Sequence, residues 1–236
     1  MDGAPICAVA VISQSSRENT KTGAVVQTYI LLEDIDPRDA SKSGADYSIC
    51  GTCPLRGIAT DDPDRSIARN RICYVQLGQG PLNVFKAMQR GVYPVVRGHA
   101  AIAAIGRGRV VRLGTYGDPA MVPSYIWESL ISEARGHTAH SHQANVPAAN
   151  FRADLYMHSA DSLEQAQGAW ASGQRTFRIV RTVADIVKGR EILCPASKEA
   201  GRRVTCTDCR LCGGSRQVAK SIAIVAHGAG QRHIAA

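Results

Sequence analysis

No apolar run in this sequence approaches the ~18 residues needed to cross a bilayer, and no basic segment followed by an apolar one opens it. The stretch Ile6–Ile12 is too short for a span and lacks the flanks of a signal peptide. These absences predict a cytoplasmic chain with no membrane partner. Acidic residues are in deficit: 20 Asp and Glu stand against 28 Lys and Arg, a formal charge of +8. Repeats and low-complexity segments are absent, which excludes a solenoid. What is present is an ordinary globular composition, 44% hydrophobic and 20% charged over 236 residues. That is enough apolar mass for a core, so disorder as the main state is excluded. The length makes one domain the default and two small ones the limit. Arginine carries most of the positive charge, and its forked guanidinium suits phosphate, so a nucleotide or nucleic acid is the expected partner.

Eight cysteines stand at positions 7, 50, 53, 73, 194, 206, 209 and 212. In a reducing compartment such clusters are metal ligands or redox groups rather than disulfides. The C-terminal set reads Cys194, eleven intervening residues, then Cys206-Thr-Asp-Cys209-Arg-Leu-Cys212. The CxxCxxC run lets three thiolates converge from one tight loop, and Cys194 supplies a fourth from a strand end. Four thiolates suit an iron–sulfur cluster or tetrahedral zinc, and two consecutive CxxC steps resemble cluster loops more than zinc knuckles. The N-terminal set, Cys50-Gly-Thr-Cys53 with Cys73 twenty residues on, offers three thiolates and no nearby histidine. Three thiolates on a cubane cluster would leave one iron open to substrate or cofactor. Cys7 lies in the apolar run Ile6-Cys7-Ala8-Val9 and reads as a core thiol.

Residues Ala24–Leu32 predict a buried strand, and the polar stretch Glu33–Ala45 leads to the cysteine loop. Before them, Asn19-Thr20-Lys21-Thr22-Gly23 can offer backbone N–H groups and a lysine to an anion. Cys73–Leu77 reads as a short strand, and Leu82–Arg90 has helical spacing with Gly91 as its stop. Strands are then expected at Val110–Gly114, His137–His142, Asp154–His158, Arg175–Arg181, Glu191–Leu193 and Ser221–Ala226. Helices are expected after Ser124 and over Asp161–Ser172. Alternating strands and helices imply a parallel α/β sheet. A partial or irregular (β/α) barrel is the first choice and an open doubly wound sheet the second. A core over residues 1–190 would be closed by a cysteine-rich module over residues 191–236. In either fold, chemistry collects at the C-terminal strand ends. Gly117-Asp118-Pro119, His140 with His142, His158-Ser159 and Cys194 all fall near such ends, which suggests one shared site. His140 and His142 lie on one strand face and suit acid–base work. Arg178 suits an anionic substrate group.

The order NTKTG, a cysteine-rich loop with Cys73-Tyr74, a strand ending in a Gly-Asp turn, and a closing CPAS…CxxCxxC module resembles a phage-encoded cysteine-rich family of the mycobacteriophage gene-product-eighty-eight type. A wider resemblance is to radical S-adenosylmethionine (SAM) enzymes, whose partial α/β barrel carries an open-site [4Fe–4S] cluster. In them a glycine-rich turn after an early strand receives the methionine amine. Here Arg112-Leu113-Gly114-Thr115-Tyr116-Gly117-Asp118-Pro119, followed by an amphipathic helix, looks like that turn, with Asp118 where the family has glutamate. The resemblance implies that Cys50, Cys53 and Cys73 hold the SAM-binding cluster. It implies that Cys194, Cys206, Cys209 and Cys212 hold a second one. Gly117, Asp118 and Pro119, with Asn19 and Lys21, would contact cofactor. It also implies an electron donor such as a flavodoxin or ferredoxin, and a phage source would place the chain in the host cytoplasm. The family's single CxxxCxxC loop is replaced here by CxxC and a distant Cys73.

Two hypotheses from different classes follow. One is a radical-SAM-like enzyme modifying a nucleotide or nucleic acid, with His140, His142 and Asp118 catalytic and Arg178, His158 and Ser159 on the substrate. The other is a nucleic-acid-binding protein whose thiolates hold structural zinc. A barrel-fold base-exchange (transglycosylase-like) enzyme with Asp118 as nucleophile or base is a third.

Overall fold

The computed structural model describes residues 3–12, 22–216 and 218–227. Asn19 and Lys21 lie outside the described residues. Within them the strands are β1 (Ile6–Val11), β2 (Val25–Leu32), β3 (Val110–Tyr116), β4 (Gly136–Ser141), β5 (Met157–Ala160), β6 (Thr176–Val180), β7 (Glu191–Leu193) and β8 (Ser221–Val225). The helices are α1 (Pro37–Ser43), α2 (Tyr47–Cys50), α3 (Gly80–Gln89), α4 (His99–Gly106), α5 (Ser124–Ile131), α6 (Leu163–Ala171) and α7 (Cys206–Cys209). No helix of the described residues is long and apolar enough to cross a membrane.

The eight strands form one sheet in the order β1-β2-β3-β4-β5-β6-β8-β7. β1 pairs antiparallel with β2, and the remaining pairs are parallel. From β2 to β6 the strands lie side by side in chain order. A doubly wound sheet reverses its order at a switch point, and no such reversal occurs here. Chain-sequential order is what a barrel uses, yet the sheet is not closed: β1 and β7 are its edges. The last segment does not sit apart from the rest, because β8 inserts between β6 and β7.

Local sequence explains the elements that flank the site. In β3, Val111 and Leu113 are buried to 1% exposure or less and join Trp127 and Leu130 of α5 in the main core. Arg112, Gly114 and Tyr116 face the other way, as the two-residue period of a strand requires. Trp127 is pinned by its indole N–H donating to the Pro119 carbonyl at 2.8 Å. At α6, the Ser162 hydroxyl accepts from the Gln165 amide at 3.1 Å, an N-cap of the expected kind.

Three expectations change. The segment Cys73–Leu77 is not a strand: the Ile72 and Cys73 amides both donate to the Leu55 carbonyl, so it is tied to the cysteine loop instead of a neighbouring strand. The strand expected over Asp154–His158 begins at Met157, because residues 152–156 turn back, with Leu155 and Tyr156 N–H donating to the Arg152 carbonyl. The stretch Glu33–Ala45 contains α1, capped by Asp36, started by Pro37 and stopped by Gly44.

Candidate functional site

The N-terminal cysteine loop packs over the C-terminal ends of β3 and β4. The Asp118 amide, just after β3, donates to the Ile49 carbonyl at 2.7 Å. Gln143, just after β4, is fully buried. Its amide nitrogen donates to the Cys50 carbonyl at 3.1 Å, and its amide oxygen accepts from the Thr52 N–H and hydroxyl, both at 3.1 Å. Gly51 is obligatory beneath it: the backbone has φ +56°, and a Cβ would collide with the Gln143 side-chain oxygen.

The C-terminal cysteine module packs at the opposite ends of the strands. Thr207 donates from its N–H and hydroxyl to the Thr22 carbonyl ahead of β2, at 3.1 and 2.9 Å. Arg210 donates to the Arg135 carbonyl ahead of β4 at 3.2 Å. The Ser215 amide donates to the Ala153 carbonyl, and its hydroxyl accepts from the Arg175 amide ahead of β6. The Ala139 amide of β4 donates to the Cys212 carbonyl at 2.9 Å. The Cys206–Cys212 loop and the N-terminal cysteine set thus approach the sheet from opposite strand ends, while Cys194 follows β7 and donates from its amide to the Ala223 carbonyl of β8. Both sets meet a common cavity of about 350 Å³. Cys50, Cys53 and Cys73 line it, as do Cys194, Cys206 and Cys212. Between them stand Arg112 and Tyr116 of β3, Thr138 and His140 of β4, Phe177 and Ile179 of β6, and Ile224 of β8.

All eight cysteines are free of disulfides. Within each set the thiols feel one another. Cys50 is pushed well above its ordinary pKa by burial first, then by Asp46, Cys53, Cys73 and Asp118. Burial also raises Cys73, against the nearby Arg71 guanidinium. Cys212 is raised by burial and by Cys194, Cys206 and Cys209. Crowded buried thiols of this kind resist ionisation on their own, and a thiophilic cation reverses that balance. Among the described residues, no group of three or more His, Cys, Asp or Glu side chains is arranged to hold a single metal ion.

Asp118 lines the cavity but is spent on structure. Oδ1 accepts from the Ser141 hydroxyl at 2.7 Å and the Ala120 amide at 3.0 Å. Oδ2 accepts from the His142 amide at 2.8 Å and Gln143 at 3.3 Å. Burial raises its pKa, opposed by the Ser141 bond and by His142. A carboxylate with four donors already in place is a clasp joining β3, β4 and the cysteine loop. The nucleophile or base role expected for it finds no free lone pair. Gly117 lines the cavity beside it, and Pro119 begins a buried 3-10 turn behind it.

His142 bonds Asp161 at 3.2 Å. Burial alone would lower its pKa, but its bonds to Asp161 and to the Cys53 thiol hold it well above the ordinary value. His140 is the opposite case: burial, then Arg112 and His142, push it down to about 3. Its ring lies 4.2 Å from that of Phe177, centroid to centroid, and its Nε2 is buried without a hydrogen-bond partner. Both histidines line the cavity, His140 from β4 and His142 from just past its end.

Two expected substrate contacts lie elsewhere. Arg178 is on the strand face opposite Phe177 and Ile179, where it pairs with buried Glu191 at 2.6 and 2.9 Å and donates to the Asp185 carbonyl. It is a structural ion pair. His158 does not line the cavity; its Nδ1 meets Gln174 at 3.3 Å and its ring meets Phe151. Ser159 does line it. Sequence reasoning gave no role to Gln143 or Phe177 and placed Arg112 and Tyr116 only in the segment that resembles the SAM-binding turn. For Arg112, Tyr116 and Phe177 a signal was available, since each alternates with core residues on its strand; Gln143 carries none. Compared with protein-family models, curated proteins and solved structures, the chain finds no match.

Proposed function

We propose that this chain is an iron–sulfur enzyme of radical-SAM-like type, built on a partial barrel and acting on a nucleotide or nucleic-acid substrate. The observation that carries the reading is the single cavity walled by both cysteine sets, with the three-cysteine set at the C-terminal ends of parallel strands, where α/β folds place their chemistry. Cys50, Cys53 and Cys73 would hold one [4Fe–4S] cluster and leave an iron open. Cys194, Cys206, Cys209 and Cys212 would hold the other with a complete protein ligand set. A multi-iron cluster is larger than an ion, so its thiolates need not meet at one point. Such a cluster would supply one electron, taken from a flavodoxin- or ferredoxin-type donor, to the sulfonium of a bound S-adenosylmethionine.

The chain's own residues have definable tasks. Gln143 and Asp118 fix the loop that carries Cys50 and Cys53. His142 donates toward the Cys53 sulfur and is itself held by Asp161. Arg112 offers positive charge beside Cys206 and Cys212. Phe177, Ile179 and Ile224 exclude water from the space between. The test is SAM cleavage by anaerobically reconstituted protein with dithionite as reductant. The expected product is 5′-deoxyadenosine, lost when Cys50, Cys53 and Cys73 are together replaced by alanine. Reconstituted protein that never cleaves SAM would refute the reading.

A further inference from the structure

The cavity wall contains polar atoms that the protein itself leaves unused. His140 Nε2 and the Tyr116 hydroxyl are both buried without a hydrogen-bond partner. Two other buried side-chain oxygens without a partner, on Tyr156 and Ser197, lie outside the cavity wall; the two inside it are placed where a ligand can complete them. The Arg112 guanidinium, on the same strand as Tyr116, donates to the Tyr74 hydroxyl at the cavity wall.

Arg112, Gly114 and Tyr116 of β3 line one cavity with His140 of β4 and Phe177 of β6. β3 bulges between Arg112 and Tyr116: they lie opposite Gln27 and Tyr29, which are only two residues apart on β2. On β4, Arg112 is opposite Thr138 and Leu113 opposite Ala139, so His140 follows directly on that paired stretch. Gly114 adds no side chain to the wall, and the His140 and Phe177 rings pair with centroids 4.2 Å apart. Arg112 stands toward the C-terminal cysteines, of which Cys206 and Cys212 act on it. Tyr116 stands toward the N-terminal ones, of which Cys50 and Cys73 act on it.

We propose that the cavity binds an elongated small molecule with one anionic end and a flat, largely apolar body. The anion sits on Arg112 and His140 Nε2, the body lies over Gly114 against Phe177, and the far end reaches Tyr116. A nucleoside monophosphate and an aryl carboxylate both have this form; a polymer would have to enter by a single end. The inference rests on the reading of this cavity as the reactive site, and it fixes direction there. The end remote from the anion is presented to Cys50, Cys53 and Cys73.

Two matched pairs test it by calorimetry: adenosine 5′-monophosphate against adenosine, and 3-phenylpropionate against its neutral amide. Each is titrated into the full chain before and after anaerobic cluster reconstitution. In at least one pair the anion should bind tenfold or more tightly than its neutral partner, and the pair that does so names the ligand class. Arg112→Gln should abolish that preference. His140→Phe keeps the ring stack and should weaken the anion about tenfold, equivalent to 1.4 kcal/mol. Equal binding of anion and neutral partner in both pairs, or a preference that survives Arg112→Gln, would overturn the proposal. Anion preference in protein that takes up no iron would leave this inference standing and sink the cluster reading alone.

Discussion

Replacing Gln143 with leucine probes the clasp that holds the N-terminal cysteine loop. The side chain is fully buried and similar in volume to leucine, so the packing change is small. What is lost is the amide. The Cys50 carbonyl and Asp118 Oδ2 lose a donor, and Thr52 loses an acceptor. Asp118 Oδ2 keeps the His142 amide, the Cys50 carbonyl keeps the Cys53 amide, and Thr52 is exposed and can recruit water. Neither buried acceptor is left bare, so the cost is that of two lost buried hydrogen bonds, roughly 1–3 kcal/mol in total. Gln143→Glu sharpens the test. It keeps an acceptor for Thr52 but sets a carboxylate oxygen against Asp118 and the Cys50 carbonyl, so it should cost at least as much despite its polarity. Urea denaturation measures the loss, and the rate of thiol modification at Cys50 and Cys53 reports loosening of the loop. A Gln143→Leu protein within about 0.5 kcal/mol of the parent, with unchanged thiol rates, would refute the clasp. So would a Gln143→Glu protein more stable than Gln143→Leu.

Other expectations follow from the same geometry. His140 is held near pKa 3 by burial, and burial also lowers His137 and His158. Through these three groups the unfolded chain binds more protons than the folded one below about pH 6.5, which lowers stability as pH drops, while His142, held above its ordinary value, contributes with the opposite sign. His140 alone should cost about 2 kcal/mol between pH 7 and pH 5, and His140→Phe should flatten that part of the profile in denaturation at both pH values. Breaking the Arg178–Glu191 pair with Arg178→Met strands a fully buried carboxylate and should cost about 3–5 kcal/mol. The double variant Arg178→Met with Glu191→Met should recover much of this in a double-mutant cycle, whereas additive losses would show that the two groups do not act as a pair. Ser162→Ala removes the cap of α6 and should cost about 1 kcal/mol, read from the thermal midpoint.

Much of the sheet was legible because its strands carry clear apolar runs: Val25–Leu32, Val110–Tyr116 and Ser221–Val225 lie within a residue or two of expectation. The helix Leu163–Ala171 was legible from its serine cap and trailing glycine. The first helix was not read, although Asp36, Pro37 and Gly44 announce it; its polar surface hid a periodic pattern only seven residues long. Cys73–Leu77 reads apolar because Val75 and Leu77 pack inward, and burial without a partner strand looks the same in one dimension. The cysteine sets were legible as sets, by spacing and count. The approach of the Cys206–Cys212 loop and the N-terminal set from opposite strand ends was not, because it depends on where Thr22, Arg135 and Ala153 fall at strand starts in three dimensions. Arg178 misled for the same reason: alternation fixes which residues share its face, and only the neighbouring strand reveals that Glu191 awaits it.

The central claim is that two inorganic centres flank one cavity. Metal and sulfide analysis with an absorption spectrum, on protein purified and reconstituted without oxygen, addresses it directly. The account predicts a brown protein with about eight irons, four per cubane cluster, falling by half when Cys50, Cys53 and Cys73 are replaced by alanine. A colourless protein carrying zinc, or one whose iron is untouched by those replacements, would contradict it.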